Sequence, residues 1–183
     1  MSTELLKHKL DRAFAHMDVN GDGKIERDDL LGLGARILVG FGESPTSPTG
    51  SRLVHGFESI WQTLSAEIDA DGDGDGAISP EEFRAGMTSA FVQGDRFEAV
   101  FGPAAEAIAE LCDADGDGAV GPAEFRVMLT AFGTPHDDVD VAFERLDRDH
   151  DGSLSVGELV EAARQYYTSA DPNAAGNWLF GPL

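Results

Sequence analysis

Apolar residues recur along this chain at intervals of three and four positions, a spacing that places them on one face of an α-helix. The clearest stripes are Leu6, Leu10, Phe14, Met17 and, further along, Phe57, Ile60, Trp61, Leu64. Four polar segments rich in Asp and Gly separate such stripes, and they cover residues 18–29, 71–82, 113–124 and 147–158. The pattern therefore predicts an all-α protein in which helices flank four polar loops.

Cap and proline signals mark where several of these helices begin. Thr3 is a candidate cap for the first helix, and Ser79-Pro80 places a cap and a first-turn proline after the second polar loop. Pro122 gives the same signal after loop three, and Thr134-Pro135 begins the segment that leads into loop four. Each polar loop is therefore expected to lie between an incoming and an outgoing helix.

Two stretches interrupt the helical pattern and set the domain organisation. Residues 42–51 hold two prolines, two glycines, three serines and two threonines, which indicates a loop. Gly94 and Gly102-Pro103 break the stretch between loops two and three, so a continuous central helix is disfavoured. We expect one pair of loops in residues 1–93, a second pair in residues 94–170, compact packing of both halves, and a tail, residues 171–183, packed on them.

The charge of the chain is unbalanced, because 34 Asp and Glu face 13 Lys and Arg and give a formal charge of −21. Such a surface repels phosphate backbones and anionic headgroups, which disfavours nucleic acids and membranes as partners. Hydrophobic residues still make up 42% of the chain, which indicates a folded core rather than a disordered acidic tail. There is neither a basic, apolar leader nor an apolar run of roughly 20 residues. A soluble, cytoplasmic monomer is therefore expected.

The acids are concentrated in the four polar loops, which hold 18 of the 34. Each loop has Asp at positions one and five, Asp or Asn at three, Gly at six, an apolar residue at eight and an acid at twelve. The loops start at Asp18, Asp71, Asp113 and Asp147. Side chains at positions one, three, five and twelve of such a loop converge on one centre with the carbonyl of position seven. The eighth residues, Ile25, Ile78, Val120 and Leu154, are expected to form short β contacts between paired loops.

Oxygen ligands select hard cations, and four copies of the full pattern make solvated acidic turns a poor alternative. The motif is the EF-hand, and it predicts Ca²⁺ binding. The predicted ligands of loop one are Asp18, Asn20, Asp22, Glu26, Asp29 and the carbonyl of Lys24. Those of loop two are Asp71, Asp73, Asp75, Ser79, Glu82 and the carbonyl of Ala77. Those of loop three are Asp113, Asp115, Asp117, Glu124 and the carbonyl of Ala119, and those of loop four are Asp147, Asp149, Asp151, Ser155, Glu158 and the carbonyl of Ser153.

The four sites are expected to differ. Loops three and four each gather four carboxylates, whose repulsion of about 1 to 4 kcal/mol per pair should loosen the loop until an ion binds. Loop one closes with Asp29, which is one methylene shorter than Glu and reaches less easily for bidentate ligation, so this site should be weaker and tolerate Mg²⁺. Up to four Ca²⁺ ions are expected in total.

Loop two admits two registers, because the run from Asp69 to Gly76 has Asp at every second position until Asp75. A start at Asp69 would put Pro80 at the twelfth position, which destroys the site. A start at Asp71 puts Glu82 there, so we choose that register. The extra Asp-Gly pair is then expected to be absorbed at the end of the incoming helix.

The chain resembles the sarcoplasmic calcium-binding protein family and its bacterial calerythrin branch over nearly its whole length. The resemblance rests on four loops in a chain of this size, the 53 residues between the starts of loops one and two, the compact linker, and the ending D-P-N-A-A-G-N-W-L-F-G. It implies a compact intracellular calcium buffer or signal modulator, often with one degenerate loop. All four loops here retain ligand acids, which departs from that last feature.

The alternative function is a calcium sensor that exposes an apolar groove on calcium binding and regulates a protein partner, which the sequence does not identify. Trp178, Leu179, Phe180 and Leu183 form an apolar cluster in the tail, which either packs at an edge or plugs the groove between hands. A plug would block target helices, and the chain has only four methionines, whereas sensor grooves are rich in them. Both points favour a buffer.

An enzyme is not expected. The chain contains no G-x-S-x-G and no phosphate-binding loop, and its five histidines show no metal-ligand spacing. The single cysteine, Cys112, excludes an intramolecular disulfide and lies on an apolar helix face, where we expect a buried thiol.

Overall fold

The computed structural model describes residues 2–68, 76–92, 96–113 and 115–183, most of which are helical. The helices are α1 (Ser2–Met17), α2 (Arg27–Phe41), α3 (Pro48–Glu67), α4 (Pro80–Gly86), α5 (Phe97–Val100), α6 (Gly102–Cys112), α7 (Pro122–Ala131), α8 (His136–Leu146) and α9 (Val156–Thr168). A π-helix (Met87–Val92) extends α4, and a 3₁₀-helix (Ala175–Trp178) lies in the tail. Within these ranges, no helix combines the length and apolar character that a membrane crossing requires. The predicted all-α fold, with loops between helix pairs, is confirmed.

Short β contacts join the loops in pairs, as the eighth loop positions predicted. Ile25 and Ile78 form an antiparallel bridge through two N–H···O hydrogen bonds of 2.9 Å. In the other half, β1 (Ala119–Val120) pairs antiparallel with β2 (Leu154–Ser155). The apolar residues at all four eighth positions are fully buried, so each pair of loops is joined back to back through its core-facing residues.

Most helix starts follow the predicted signals. Ser79 caps α4, where its hydroxyl oxygen accepts a hydrogen bond from the backbone N–H of Glu82 at 3.3 Å. Pro122 opens α7, and Pro135 directly precedes α8. The prediction for Thr3 is wrong, because α1 already includes that residue and Thr3 is not its cap.

The loop predicted over residues 42–51 is shorter in the structure. Ser47 caps α3 by accepting a hydrogen bond from the N–H of Gly50 at 3.0 Å, and Pro48 takes the first helical position. The polar composition of this stretch therefore conceals a helix start, because a Ser-Pro pair supplies both the cap and a backbone already fixed for the first turn.

The two halves of the chain share one hydrophobic core. Helix α3 packs on α6 so closely that a Cβ on Gly56 would lie 3.0 Å from the Cα of Ala104. Helix α2 packs on α7, and a Cβ on Gly40 would lie 3.2 Å from Cγ1 of Val127. The predicted compact packing is therefore confirmed, whereas the predicted division between residues 93 and 94 lies outside the described residues.

The tail packs into this core through one aromatic side chain in particular. Phe180 is buried against the rings of His16, Phe132 and Tyr166, with centroid distances of 4.6, 5.1 and 4.9 Å. These partners lie in α1, at the end of α7 and in α9, so the tail joins three helices from both halves. Leu183, by contrast, is 42% exposed, so only part of the predicted apolar cluster is buried.

A buried lysine joins α1 to the end of α9 and to the tail. The side chain of Lys9 is fully buried, and its ammonium group donates to the carbonyls of Gln165 (3.1 Å) and Ser169 (2.6 Å) and to Oδ1 of Asn177 (2.9 Å). Gln165 lies in the last turn of α9 and Ser169 is the residue that caps its C-terminus, where a positive charge complements the helix dipole. Burial lowers the pKa of Lys9 to about 8.

Candidate metal centres

Loops one, three and four follow the ends of α1, α6 and α8 without a gap in the sequence. Each of these loops turns at its sixth position, where Gly23, Gly118 and Gly152 have φ of 87°, 85° and 88°. This left-handed region opposes a Cβ, so glycine is required for the turn that brings the ligand positions together.

The same hydrogen bonds recur in these three loops and orient their carboxylates. The N–H of the sixth-position glycine donates to Oδ2 of the first-position Asp, at 2.9 Å in loop one and 3.0 Å in loops three and four. The seventh-position N–H donates to Oδ1 of the fifth-position Asp, at 3.0, 2.9 and 2.9 Å respectively. Each of these side chains is therefore fixed through one oxygen by the backbone of its own loop.

In loops three and four, the other oxygen of the first-position Asp has no hydrogen-bond partner among the described residues. Asp113 Oδ1 and Asp147 Oδ1 are buried and accept no hydrogen bond from any part of the chain that the structure describes. An unpaired buried acceptor costs about 1 to 3 kcal/mol, and more when it carries charge. Two orphaned carboxylate oxygens at the same position of two loops therefore fit a bound cation.

The carboxylates of these two loops lie close enough to share an ion. One oxygen from each of Asp113, Asp115 and Asp117 lies within 4.8 Å of the others. The same holds for Asp147, Asp149 and Asp151. Calcium–oxygen bonds measure about 2.3 to 2.6 Å, so two ligands of one ion are separated by at most roughly twice that distance. Both clusters satisfy this limit.

The twelfth-position acid is held in the same way in all four loops. One of its oxygens accepts the backbone N–H of the ninth position, at 3.0 Å for Asp29, 2.8 Å for Glu82, 2.8 Å for Glu124 and 3.0 Å for Glu158. The acid also lies in the first turn of the outgoing helix. A ligand at this position would therefore link the ion directly to the orientation of that helix.

In loop one, the acids at the first and twelfth positions accept hydrogen bonds from the backbone of the same loop. Asp18 Oδ1 accepts the N–H groups of Gly21 (2.8 Å) and Asp22 (3.2 Å), in addition to the bond from the sixth-position glycine to Oδ2. Asp29, which is 3% exposed, accepts the N–H of Asn20 on its Oδ1 at 3.2 Å. Both oxygens of each acid therefore have backbone partners, and an ion would have to compete with these hydrogen bonds.

The predicted ninth-position ligands have other contacts. The hydroxyl of Ser155 donates to Oε2 of Glu158 at 2.8 Å and accepts the N–H of Glu158 at 3.2 Å. Ser79 accepts the N–H of Glu82 in the same arrangement. Both hydroxyls thus cap the outgoing helix, while Glu26 of loop one is exposed.

Loop two is described from Gly76 onward. Its predicted ligands outside the described residues are Asp71, Asp73 and Asp75. Ile78 pairs with Ile25, which is the eighth residue of loop one. Ile78 is itself the eighth residue of a loop that starts at Asp71, whereas a start at Asp69 would give that position to Gly76.

The sequence pattern did not reveal two polar residues of α1 that pack against the core, of which Lys9 is buried and His16 is partly buried. Lys9 is described above, and His16 packs edge-on against Phe180 with its Nδ1 buried and unpartnered among the described residues. Burial lowers the pKa of His16 to about 4. A second row beside the predicted apolar stripe has the same helical spacing and consists of Lys9, Ala13 and His16. This row was the signal from which the packing of Lys9 and His16 could have been predicted.

The predicted burial of Cys112 is confirmed, and burial raises the pKa of its thiol to about 12.

Comparisons with known proteins agree with this geometry. A family model described as EF hand matches residues 10–33, 68–87 and 139–162, which contain loops one, two and four. Calerythrin from Saccharopolyspora erythraea is 30% identical over 169 residues, which make up 91% of this chain and 94% of calerythrin.

Solved structures extend the comparison to the fold. A calcium-binding protein from Streptomyces coelicolor, described in terms of prokaryotic calcium-mediated regulation, is 35% identical, and the match has a TM-score of 0.78 over 91% of this chain and 99% of that chain. Calcium-loaded apo-aequorin from Aequorea victoria gives a TM-score of 0.73 over 93% of this chain and 94% of that chain. Its identity is 18%, so the second likeness concerns the fold alone.

Proposed function

The chain belongs to the calerythrin group of EF-hand calcium-binding proteins, and from this we propose that it is an intracellular calcium buffer or signal modulator that binds up to four Ca²⁺ ions. The observation that carries calcium binding is the pair of orphaned, buried oxygens on Asp113 and Asp147. The observation that favours a buffer is the burial of the tail among helices of both halves.

Loops three and four are the proposed strong sites. Their aspartates already lie at ion-sharing distances, and the backbone of each loop fixes their orientation. A bound Ca²⁺ would neutralise the clustered negative charge and order the loop. The chain contributes the remaining oxygens through Glu124 and Glu158 and through the carbonyls of Ala119 and Ser153.

Loop one is the proposed weak site. Asp18 Oδ1 accepts two backbone hydrogen bonds with which an incoming ion must compete, whereas the same oxygen of the first Asp in loops three and four has no partner among the described residues. Asp29 is also the shorter acid at the closing position. The proposal is therefore a lower calcium affinity and occupation by Mg²⁺ at rest.

Loop two is proposed to bind Ca²⁺ through Asp71, Asp73, Asp75 and Glu82. The pairing of Ile78 with loop one supports this register. A double variant, Asp71→Ala with Glu82→Ala, should bind one ion fewer in a calorimetric titration, and the control Asp69→Ala should bind the parent number. Equal counts for the double variant and the parent would exclude the site.

A buffer differs from a sensor in what calcium does to its apolar surface. Here Phe180 and Leu179 of the tail are 3% and 4% exposed. We propose that these two side chains fill the groove between hands into which a target helix would insert. Calcium should therefore shrink the protein by ordering its loops without uncovering the core.

Apolar-dye fluorescence and hydrodynamic radius, measured with calcium and with chelator, test this proposal. We expect a smaller radius in calcium and no gain in dye binding. A clear gain in dye binding together with a larger radius would contradict the buffer and establish the sensor. Phe180→Ala serves as the positive control, because it should raise dye binding by loosening the tail.

The sensor remains the alternative candidate because of one specific relative. The Streptomyces coelicolor protein, at 35% identity, is described in terms of calcium-mediated regulation.

We propose no catalytic role, since the thiol of Cys112 is fully buried and its raised pKa keeps it protonated, which is the opposite of an activated nucleophile.

A further inference from the structure

Helices α2 and α7 border an open groove of about 810 Å³ on the outer surface of the protein. Glycine and alanine line much of it, so its floor lies close to the helix backbones. Val39 and Val127 supply the larger apolar side chains. The lining residues on α2 run from Gly32 to Gly40, a length of about 12 Å at 1.5 Å per helical residue. A groove of this length fits a short helix, because small lining residues let two helix backbones approach closely.

Val39 is the feature of the groove that the fold does not explain. Its side chain is 79% exposed, compared with 39% for Val141 and 42% for Leu183, the other exposed large hydrophobic residues that the structure describes. Seven of the eleven residues that line the groove are Gly, Ala or Val, so Val39 belongs to a largely apolar patch rather than standing alone. Exposed apolar patches of this kind mark interaction sites in soluble proteins.

The charged side chains that line the groove are basic, whereas the net charge of the whole chain is negative. None of its lining residues is Asp or Glu, while Arg36, Arg126 and His136 all contribute to it. The chain as a whole has a formal charge of −21. Arg36 donates to the carbonyl of Val19 rather than to a carboxylate. Arg126 pairs with Asp140, and both side chains are largely exposed, so the pair is weak and its arginine can exchange partners.

We propose that the α2–α7 groove docks an amphipathic helix of a protein partner. The apolar face of that helix would cover Val39 and Val127, and carboxylates on its flanks would pair with Arg36 and Arg126. Electrostatic complementarity commits the groove to an acidic flank, since like charges placed against arginines are disfavoured. The net charge of the chain repels a strongly acidic protein, so the acidity of the partner must be local to this helix.

Two synthetic peptides test the proposal on the full chain in saturating calcium. Both have leucines at helical spacing over about three turns, and they differ only in flanking glutamates or flanking lysines. The readout is the change in amide chemical shifts on titration. The glutamate peptide should shift amides of α2 and α7 near Val39 and Val127 and should bind about tenfold tighter than the lysine peptide.

Substitutions at exposed positions keep the fold intact and locate the contact. Val39→Asp should lower the affinity for the glutamate peptide by about tenfold or more. Val141→Asp lies outside the groove and should leave this affinity unchanged. The double variant Arg36→Glu with Arg126→Glu should reverse the preference towards the lysine peptide.

Several results would overturn the proposal. Equal affinity for the two peptides would remove the electrostatic part, and binding that survives Val39→Asp would place the contact elsewhere. If neither peptide binds, the groove is not a helix-docking site. If sedimentation of the protein alone gives a dimer that Val39→Asp dissociates, the occupant is a second copy and the proposed partner helix is wrong.

Discussion

At the scale of single residues, the most consequential side chain outside the loops is Lys9. Its three acceptors come from residues 165, 169 and 177, more than 150 positions away, so no local pattern could reveal them. The sequence showed only a lysine beside an apolar stripe. Such a residue usually reaches solvent, whereas here the end of α9 and the docked tail together provide its hydrogen-bond acceptors.

Lys9→Met tests this burial through its pH dependence. Burial lowers the pKa of Lys9 from 10.5 to about 8, so below pH 8 both the folded and the unfolded state carry the proton. Between pH 8 and 10.5 the unfolded state binds more protons, and the wild type should gain stability relative to the variant with rising pH, by about 3 kcal/mol in all. Urea unfolding of both proteins across this range measures the difference, and a pH-independent difference would contradict the buried ammonium.

His150 is the second residue-scale case. It has φ of 59° at the fourth position of loop four, where loops one and three have Gly21 and Gly116 at φ of 74° and 75°. An L side chain in this region costs about 1 to 2 kcal/mol. The EF-hand pattern leaves this position open, so the sequence did not predict the strain.

His150→Gly should therefore stabilise the protein by about 1 kcal/mol. The side chain of His150 is exposed and its removal loses no core contact. His150→Ala is the matched control, because it removes the imidazole but keeps the Cβ and the strain. Thermal unfolding at fixed calcium compares the three proteins, and equal melting temperatures for the Gly and Ala variants would refute the argument.

At the scale of elements, local chemistry predicted what lies within a few residues and missed what depends on distant contacts. Ser79 and Pro122 marked helix starts because caps and first-turn prolines act on the next turn alone. The eighth-position residues predicted the β contacts because the loop spacing fixes where they point. The π-helix at Met87–Val92 had no such local signal. The apolar cluster of the tail predicted that the tail packs on the rest of the protein, but it did not identify the helices that the tail contacts.

The tail offers a direct test at this scale. Phe180 is 3% exposed and contacts rings from three elements, so Phe180→Ala should destabilise the protein by about 3 to 5 kcal/mol. Leu183→Ala, four-tenths exposed in the same tail, should change stability by less than about 0.5 kcal/mol. Urea unfolding at constant calcium provides both values. Similar small losses for the two variants would mean that the tail does not contribute to the core.

At the scale of the whole molecule, the excess of acid is a set of local charges rather than a uniform surface. The sequence located the four acidic loops, because the EF-hand spacing is strict and the glycine at position six is required by the turn. It could not rank loop one against loops three and four beyond the shorter Asp29. That ranking depends on backbone donors, which pair both oxygens of Asp18 but leave Asp113 Oδ1 and Asp147 Oδ1 without a partner in the part of the chain that the structure describes.

A calorimetric calcium titration in the presence of Mg²⁺ tests the central proposal most directly. We expect four Ca²⁺ ions, of which the two in loops three and four bind most tightly and the one in loop one competes with Mg²⁺. Glu124→Gln and Glu158→Gln should each remove one tight ion and leave the fold intact. Retention of both tight ions in the variant that combines Glu124→Gln with Glu158→Gln, or no tight binding by the wild type, would show that loops three and four are not the strong sites.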